Sequence, residues 1–124
     1  MKSKHIVAGT LYGLVLTACL LTPHQALANP PEALVLSYDM PGQTLSVTIT
    51  HPSAFTGLHY INQVAVKKNN EPIGKNEYKS QAGKTSFTYT YPIPAMENDV
   101  LDVTASCNIQ GSKTATLKVE PKKN

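Results

Sequence analysis

The segment that decides the fold is Gln43-Thr44-Leu45-Ser46-Val47-Thr48-Ile49-Thr50, in which apolar and polar side chains alternate without a break. In an extended chain this alternation places Leu45, Val47 and Ile49 on one face and the polar side chains on the other. An apolar face of this kind has to pack against a second layer of structure. The segment therefore predicts a half-buried strand in a layered β domain.

Six further segments resemble this strand and are separated from one another by Pro, Gly and Asn. They are rich in Thr, Val and Tyr, which suit pleated and half-buried surfaces. About seven short strands at even spacing are typical of an antiparallel sandwich, so we expect an all-β, seven-stranded, immunoglobulin-like β-sandwich. The six segments are Ala33 to Asp39, Leu58 to Lys67, Ile73 to Ser80, Lys84 to Tyr91, Asp99 to Cys107 and Lys113 to Glu120.

The N-terminal residues have the three-part layout of a secretory signal peptide. Lys2 and Lys4 precede an apolar run from Ile6 to Leu21, and Ala26-Leu27-Ala28 offers small side chains to a signal peptidase. The run falls short of the about 20 apolar residues that span a bilayer, so we expect no stable membrane span. The sequence predicts a signal peptide at 1–28, one domain at 29–124, and a periplasmic or secreted location.

A lipoprotein is the alternative for this N-terminal region. Leu16-Thr17-Ala18-Cys19 is similar to a lipobox, in which the cysteine is lipidated and becomes the new N-terminus. Cys19 lies inside the apolar run, however, and a good peptidase site follows it. Lipid anchoring at Cys19 therefore ranks below cleavage after Ala28.

Charge and cysteine content narrow the function of residues 29–124. Lysines and acidic residues nearly balance there and arginine is absent, so the clustered basic face of a nucleic-acid-binding domain is not expected. Cys107 is the single cysteine of this region, which rules out a disulfide within it. A lone cysteine in an exported domain is buried, paired with another chain, or bound to a ligand.

Two histidines and this cysteine form the candidate site. His51 follows the second predicted strand, His59 opens the third, and Cys107 closes the sixth. One loop joins the two histidines, so we expect them at the same end of the domain. Imidazole and thiolate together are ligands for zinc, iron or copper. Their spacing alone is a weak signal, and two ordinary histidines with a buried core cysteine explain it better.

Three motifs resemble the iron-binding domain of desulfoferrodoxins and superoxide reductases. They are His51-Pro52, His59-Tyr60-Ile61 and Cys107-Asn108-Ile109-Gln110-Gly111, and the resemblance extends over roughly Thr44 to Lys118. It implies a mononuclear non-haem iron site, with His51 and His59 as imidazole ligands and Cys107 as the axial thiolate. It further implies one-electron reduction of superoxide, with electrons supplied by a redox partner protein.

The chain departs from this family at two ligand positions. Gln110 stands where the family's C-N-x-H-G motif has its fourth histidine, and the segment 29–42 lacks the His and Lys of the family's early loop. Only three of the five ligands are therefore matched.

Three functions stay open on the sequence alone. The first is an exported iron-binding, superoxide reductase-like redox domain with an altered metal site. The second is a non-catalytic sandwich interaction module, accessory to a redox or sulfur-oxidising complex. The third is a copper or zinc binder, for which Met96 is an axial candidate.

Overall fold

The computed structural model describes residues 29–121, and these form seven antiparallel strands in two sheets. The all-β, seven-stranded prediction is confirmed for this part of the chain. The predicted signal peptide, the lipobox cysteine and the C-terminal Lys122-Lys123 lie outside the described residues. The strands are β1 (Ala33–Asp39), β2 (Thr44–Thr50), β3 (Ile61–Lys68), β4 (Glu71–Glu77), β5 (Ser86–Pro92), β6 (Val100–Cys107) and β7 (Ser112–Lys118).

The strand order is β1-β2-β5 in the first sheet and β4-β3-β6-β7 in the second. In the first sheet Thr50 pairs with Ser86, so β2 ends where β5 begins. In the second sheet Ile61 pairs with Cys107, so the start of β3 lies beside the end of β6. Within residues 29–121 no helix is both long and apolar enough to cross a bilayer.

Both sheets contribute their apolar faces to one core. Leu45, Val47 and Ile49 of β2 have no exposed surface, as the alternation in that strand predicted. The inward-facing residues of β6 are buried to the same degree, and Cys107 continues their face to the end of the strand. Because burial of one such aliphatic side chain contributes about 1.5–3 kcal/mol, the internal strands β2, β3 and β6 contribute strongly to the stability of the fold.

The hairpin between β3 and β4 is tighter than the sequence suggested. Asn69 and Asn70 both have positive φ, 51° and 68°, which is the backbone of a two-residue hairpin turn. As a result β4 begins at Glu71 and not at the predicted Ile73. Pro72 is tolerated within the strand because β4 lies at the edge of its sheet.

Candidate metal centre

His51 lies directly after β2, and its side chain is only 2% exposed. Its backbone N–H donates to the Thr85 carbonyl at 2.8 Å, which holds it beside the start of β5. Ring Nδ1 lies 2.7 Å from Gln81 Oε1, and ring Nε2 lies 3.2 Å from the Asn29 carbonyl oxygen. Polar atoms thus face both nitrogens of this buried imidazole.

His59 lies in the loop before β3 and does not open the strand, which begins only at Ile61. Its backbone N–H donates to the Phe55 carbonyl at 2.9 Å, and its own carbonyl accepts the Ser53 hydroxyl at 2.5 Å. Ring Nε2 is buried and has no hydrogen-bond partner. An unpaired buried polar atom costs about 1–3 kcal/mol of folding free energy. This nitrogen is therefore suited to bind a ligand, which would be the partner that the protein itself does not provide.

Cys107 is the last residue of β6, and it is a free thiol with 7% exposure. The next residue fixes its surroundings. Asn108 Oδ1 accepts the Tyr60 backbone N–H at 2.9 Å, and Asn108 Nδ2 donates to the Leu58 carbonyl at 3.0 Å. These two bonds hold the loop that carries His59 against the end of β6.

The structure brings the three predicted residues together. The candidate ligand atoms of His51, His59 and Cys107 all lie within 4.8 Å of one another. The two imidazoles meet edge to face, with ring centroids 4.6 Å apart and an angle of 69° between the planes. Since metal–nitrogen and metal–sulfur bonds measure about 2.0–2.3 Å, donor atoms on one ion are roughly 3–4.5 Å apart. The donor set therefore fits a single metal ion after small side-chain movements.

The electrostatics of the site favour a neutral imidazole at His59. Its burial lowers the pKa of His59 below the ordinary histidine value, and the neighbouring His51 lowers it further. A neutral imidazole is the form that binds metal ions. The same pKa shift therefore keeps this nitrogen available as a ligand under weakly acidic conditions.

A cavity of about 360 Å³ opens onto the two histidines. One wall is the N-terminal strap, which we define as residues 29–32, and the other wall includes Pro52. The strap is tied down where the Asn29 backbone N–H donates to the Gln110 carbonyl at 2.9 Å. The cavity gives a small molecule a route to the histidines.

The remaining residues named from the sequence lie elsewhere or play another part. The side chain of Gln110 is exposed, and its carbonyl holds the N-terminal strap. Met96 is 74% exposed in the loop between β5 and β6. Since β5 runs away from His51, this loop lies at the opposite end of the domain, and the prediction of Met96 as an axial ligand is wrong.

Gln81 belongs to the site although no sequence motif marks it. It lies in the loop between β4 and β5, is only 5% exposed, and contacts His51 through both ends of its amide. The surrounding Ser80-Gln81-Ala82-Gly83 reads as an ordinary polar loop. Its role becomes visible only when the fold is known.

No protein-family model matches this chain, and no curated protein matches it either. Solved structures do match. The superoxide reductase from Giardia intestinalis has a TM-score of 0.55 at 16% identity, over 73% of this chain and 99% of that one. A hypothetical protein from Pyrococcus horikoshii has a TM-score of 0.51 at 15% identity, over 77% of this chain and 92% of that one. At such identities the likeness shows the fold alone, which is superoxide reductase-like.

Proposed function

We propose that this chain is an exported redox domain that holds one non-haem iron ion on an immunoglobulin-like sandwich and reacts with superoxide. The ligands are His51 Nε2, His59 Nε2 and Cys107 Sγ. The observation that carries the proposal is the convergence of one donor atom from each of these three residues within 4.8 Å, together with the unpaired, buried Nε2 of His59. The superoxide reductase-like fold supports the choice of chemistry.

These three residues would hold a ferrous ion, which would supply the electron for one-electron reduction. Superoxide would take up that electron and two protons to give hydrogen peroxide, and a redox partner protein would return the electron. The protein contributes the surroundings. The low exposure of Cys107 protects the thiol from bulky reagents. The cavity beside the N-terminal strap reaches both histidines, and Glu32 adds a carboxylate to its lining. His59 remains neutral because burial disfavours its charged form.

The ligand set is smaller than the set of five that the resemblance implies. Two imidazoles and one thiolate leave several coordination positions open, and the same donors also bind copper and zinc. The exposed amide of Gln110 is a weak replacement for an imidazole. We therefore expect weaker iron binding than a complete ligand set would give.

The test is elemental analysis with electronic absorption on protein purified without chelator and without a histidine tag. We expect stoichiometric iron, and a thiolate-to-ferric charge-transfer band on oxidation. The Cys107→Ser variant is the matched control, because it removes the sulfur and keeps the side-chain shape. Protein that takes up no iron when ferrous ion is offered anaerobically would contradict the proposal. Stoichiometric zinc or copper in its place would retain the site but reject the iron chemistry.

A specific surface favours a second candidate function, which is a non-catalytic interaction module that docks a partner protein. Phe55, Leu58 and Ile109 are 70%, 74% and 59% exposed, and all three lie on the loops that hold the site. Asn108 joins those loops through its bond to the Leu58 carbonyl. Large exposed apolar side chains that are grouped on one surface are typical of interaction sites.

Pull-down from periplasmic extract tests this surface as the docking site. If the domain is an interaction module, a Phe55→Ser, Leu58→Ser double variant loses the captured partner and Cys107→Ser retains it. Equal capture by all three proteins would reject this surface as the docking site.

A further inference from the structure

The amide of Gln81 is saturated with hydrogen bonds at the centre of the site. Its Oε1 lies 2.7 Å from His51 Nδ1 and accepts the Ile61 backbone N–H at 3.2 Å. Its Nε2 donates to the His51 carbonyl and the Gly83 carbonyl, both at 2.7 Å. The side chain is buried, so water does not replace these bonds.

The hydrogen-bond partners fix the orientation of this amide. A reversed amide would place its NH₂ group against the Ile61 N–H, which is also a donor. It would place its oxygen against the carbonyls of His51 and Gly83, which are also acceptors. Oxygen Oε1 therefore faces His51 Nδ1.

An amide oxygen only accepts hydrogen bonds, so His51 Nδ1 has to carry the hydrogen. The Asn29 carbonyl oxygen competes for a hydrogen on the other ring nitrogen, but its distance is 3.2 Å against 2.7 Å for Gln81. The shorter and fully buried contact is the stronger one. A neutral ring in this tautomer has its lone pair on Nε2, the nitrogen on the far side of the ring from Gln81.

We propose that Gln81 is a positioning residue, which fixes the Nδ1–H tautomer of His51 and thereby presents Nε2 as a metal ligand. The metal part of this inference rests on the proposed function, whereas the tautomer does not. Gln81 also sets the spacing of the site. It binds the end of β2 through His51 and the start of β3 through Ile61, and these strands belong to different sheets.

The first measurement is the tautomer of His51 in the metal-free, wild-type protein. Long-range ¹H–¹⁵N correlation spectra distinguish the two ring nitrogens, at a pH above the ordinary histidine pKa of about 6.5. We expect hydrogen on Nδ1 and a lone pair on Nε2. Hydrogen on Nε2, donated to Asn29, would overturn the inference whether or not the protein binds a metal.

The second measurement is ferrous ion affinity, by anaerobic competition with a chromophoric chelator. Gln81→Met keeps the length of the side chain and removes all four hydrogen bonds. We expect it to weaken affinity by about 10–100-fold, as loss of a hydrogen bond behind a ligating histidine does elsewhere. In the long-range ¹H–¹⁵N spectrum of Gln81→Met, we expect the ring hydrogen of His51 on Nε2.

Gln43→Met is the matched control. Gln43 makes an equivalent amide clamp, bonding the Met40 carbonyl at 2.9 Å and the Ala95 N–H at 2.8 Å, at the opposite end of the domain. We expect its affinity to stay close to that of the wild type. Equal losses in both variants would show that Gln81 acts through general stability, which would reject positioning. If the wild type binds no iron, the proposed function fails, and the tautomer measurement still decides the role of Gln81.

Discussion

The two ends of the domain use the same amide chemistry for different purposes. At the site end, defined by His51, His59 and Cys107, Gln81 bonds both a side chain and the backbone. At the far end, defined by the β1–β2 turn and the β5–β6 loop, Gln43 bonds backbone groups only, apart from a 3.9 Å contact with the Met40 sulfur. A buried or half-buried glutamine thus joins loops at both ends, but only one of the two has a titratable ring as its partner.

The difference lies in what is left unpaired. At the far end the Tyr38 hydroxyl donates to the Ile93 carbonyl, and Asp99 accepts from the Met96 N–H. Within residues 29–121, the buried side-chain polar atoms without a partner are His59 Nε2 and Asn62 Oδ1, and both belong to the site end. Since unpaired buried polar groups are rare in folded proteins, their position at the end that carries the candidate metal centre supports the proposed site.

The largest expected effect is at the sulfur. Cys107→Ser should weaken ferrous binding by more than about 100-fold, beyond the range for a residue behind a ligand. The fold should persist, because serine is close to cysteine in shape and the one hydrogen bond of the Cys107 thiol, to Asn108 Oδ1, is long at 3.9 Å. Metal titration with circular dichroism checks both parts. Unchanged affinity for ferrous ion in this variant would mean that Cys107 does not bind the ion, and the contrast between the site end and the far end would fail.

The next effect compares the two glutamines in urea unfolding. Gln81→Met and Gln43→Met should each lower the free energy of unfolding by about 1–3 kcal/mol, because each substitution leaves buried hydrogen-bonding groups without a partner. We expect the larger loss for Gln81, which is 5% exposed and makes four hydrogen bonds. A larger loss for Gln43 would mean that the far end carries more of the polar stabilisation.

A smaller effect is acid sensitivity at the site end of the metal-free protein. The folded-state pKa of His59 lies below its ordinary value of 6.5. As the pH falls below 6.5, the unfolded chain therefore takes up a proton at His59 before the folded chain does. The free energy of unfolding then decreases until the pH reaches the folded-state pKa. Urea midpoints measured across this range should fall, and His59→Gln should flatten the fall. An equally steep fall in the variant would assign the effect to other groups.

The smallest effect is at the far end. Hydrogen bonds from the Met96 N–H and the Asn69 side chain hold the pKa of Asp99 below its ordinary value of 3.8. Its contribution is present above 3.8 and is lost as pH falls through the lower folded-state pKa. Asp99→Asn should remove this loss in acid unfolding and leave His59-dependent behaviour unchanged. A change in the latter would show that the two ends are electrostatically coupled.

The sequence predicted the strands because their information is local. Alternation in β2 gives the buried face of Leu45, Val47 and Ile49 directly, and strand ends gave the convergence of the two histidines and Cys107. The predicted start of β3 was wrong, because the turn at His59 depends on a hydrogen bond to the Phe55 carbonyl. The alternation of apolar and polar residues carries no information about such a bond.

Other features could not be predicted because their partners are distant in sequence. Gln81 lies 30 residues from His51 and 20 from Ile61, and it is identified by backbone groups that any residue possesses. Met96 was assigned by residue type alone. Its exclusion needs the direction of β5, which the pairing of β2 with β5 supplies.

The placement of the three candidate ligands has a mechanical consequence. His51 extends the first sheet, whereas Cys107 ends a strand of the second, and the strand ladders run within each sheet. A metal ion held by these residues would therefore cross-link the two sheets, which no disulfide can do within residues 29–121, because Cys107 is their single cysteine. An ion present at a free concentration of about 100 times its dissociation constant adds about 2.7 kcal/mol to the free energy of unfolding. Loss of the ion would then remove the cross-link between the two sheets, and the metal-free domain would be more susceptible to proteolysis than the metal-bound domain.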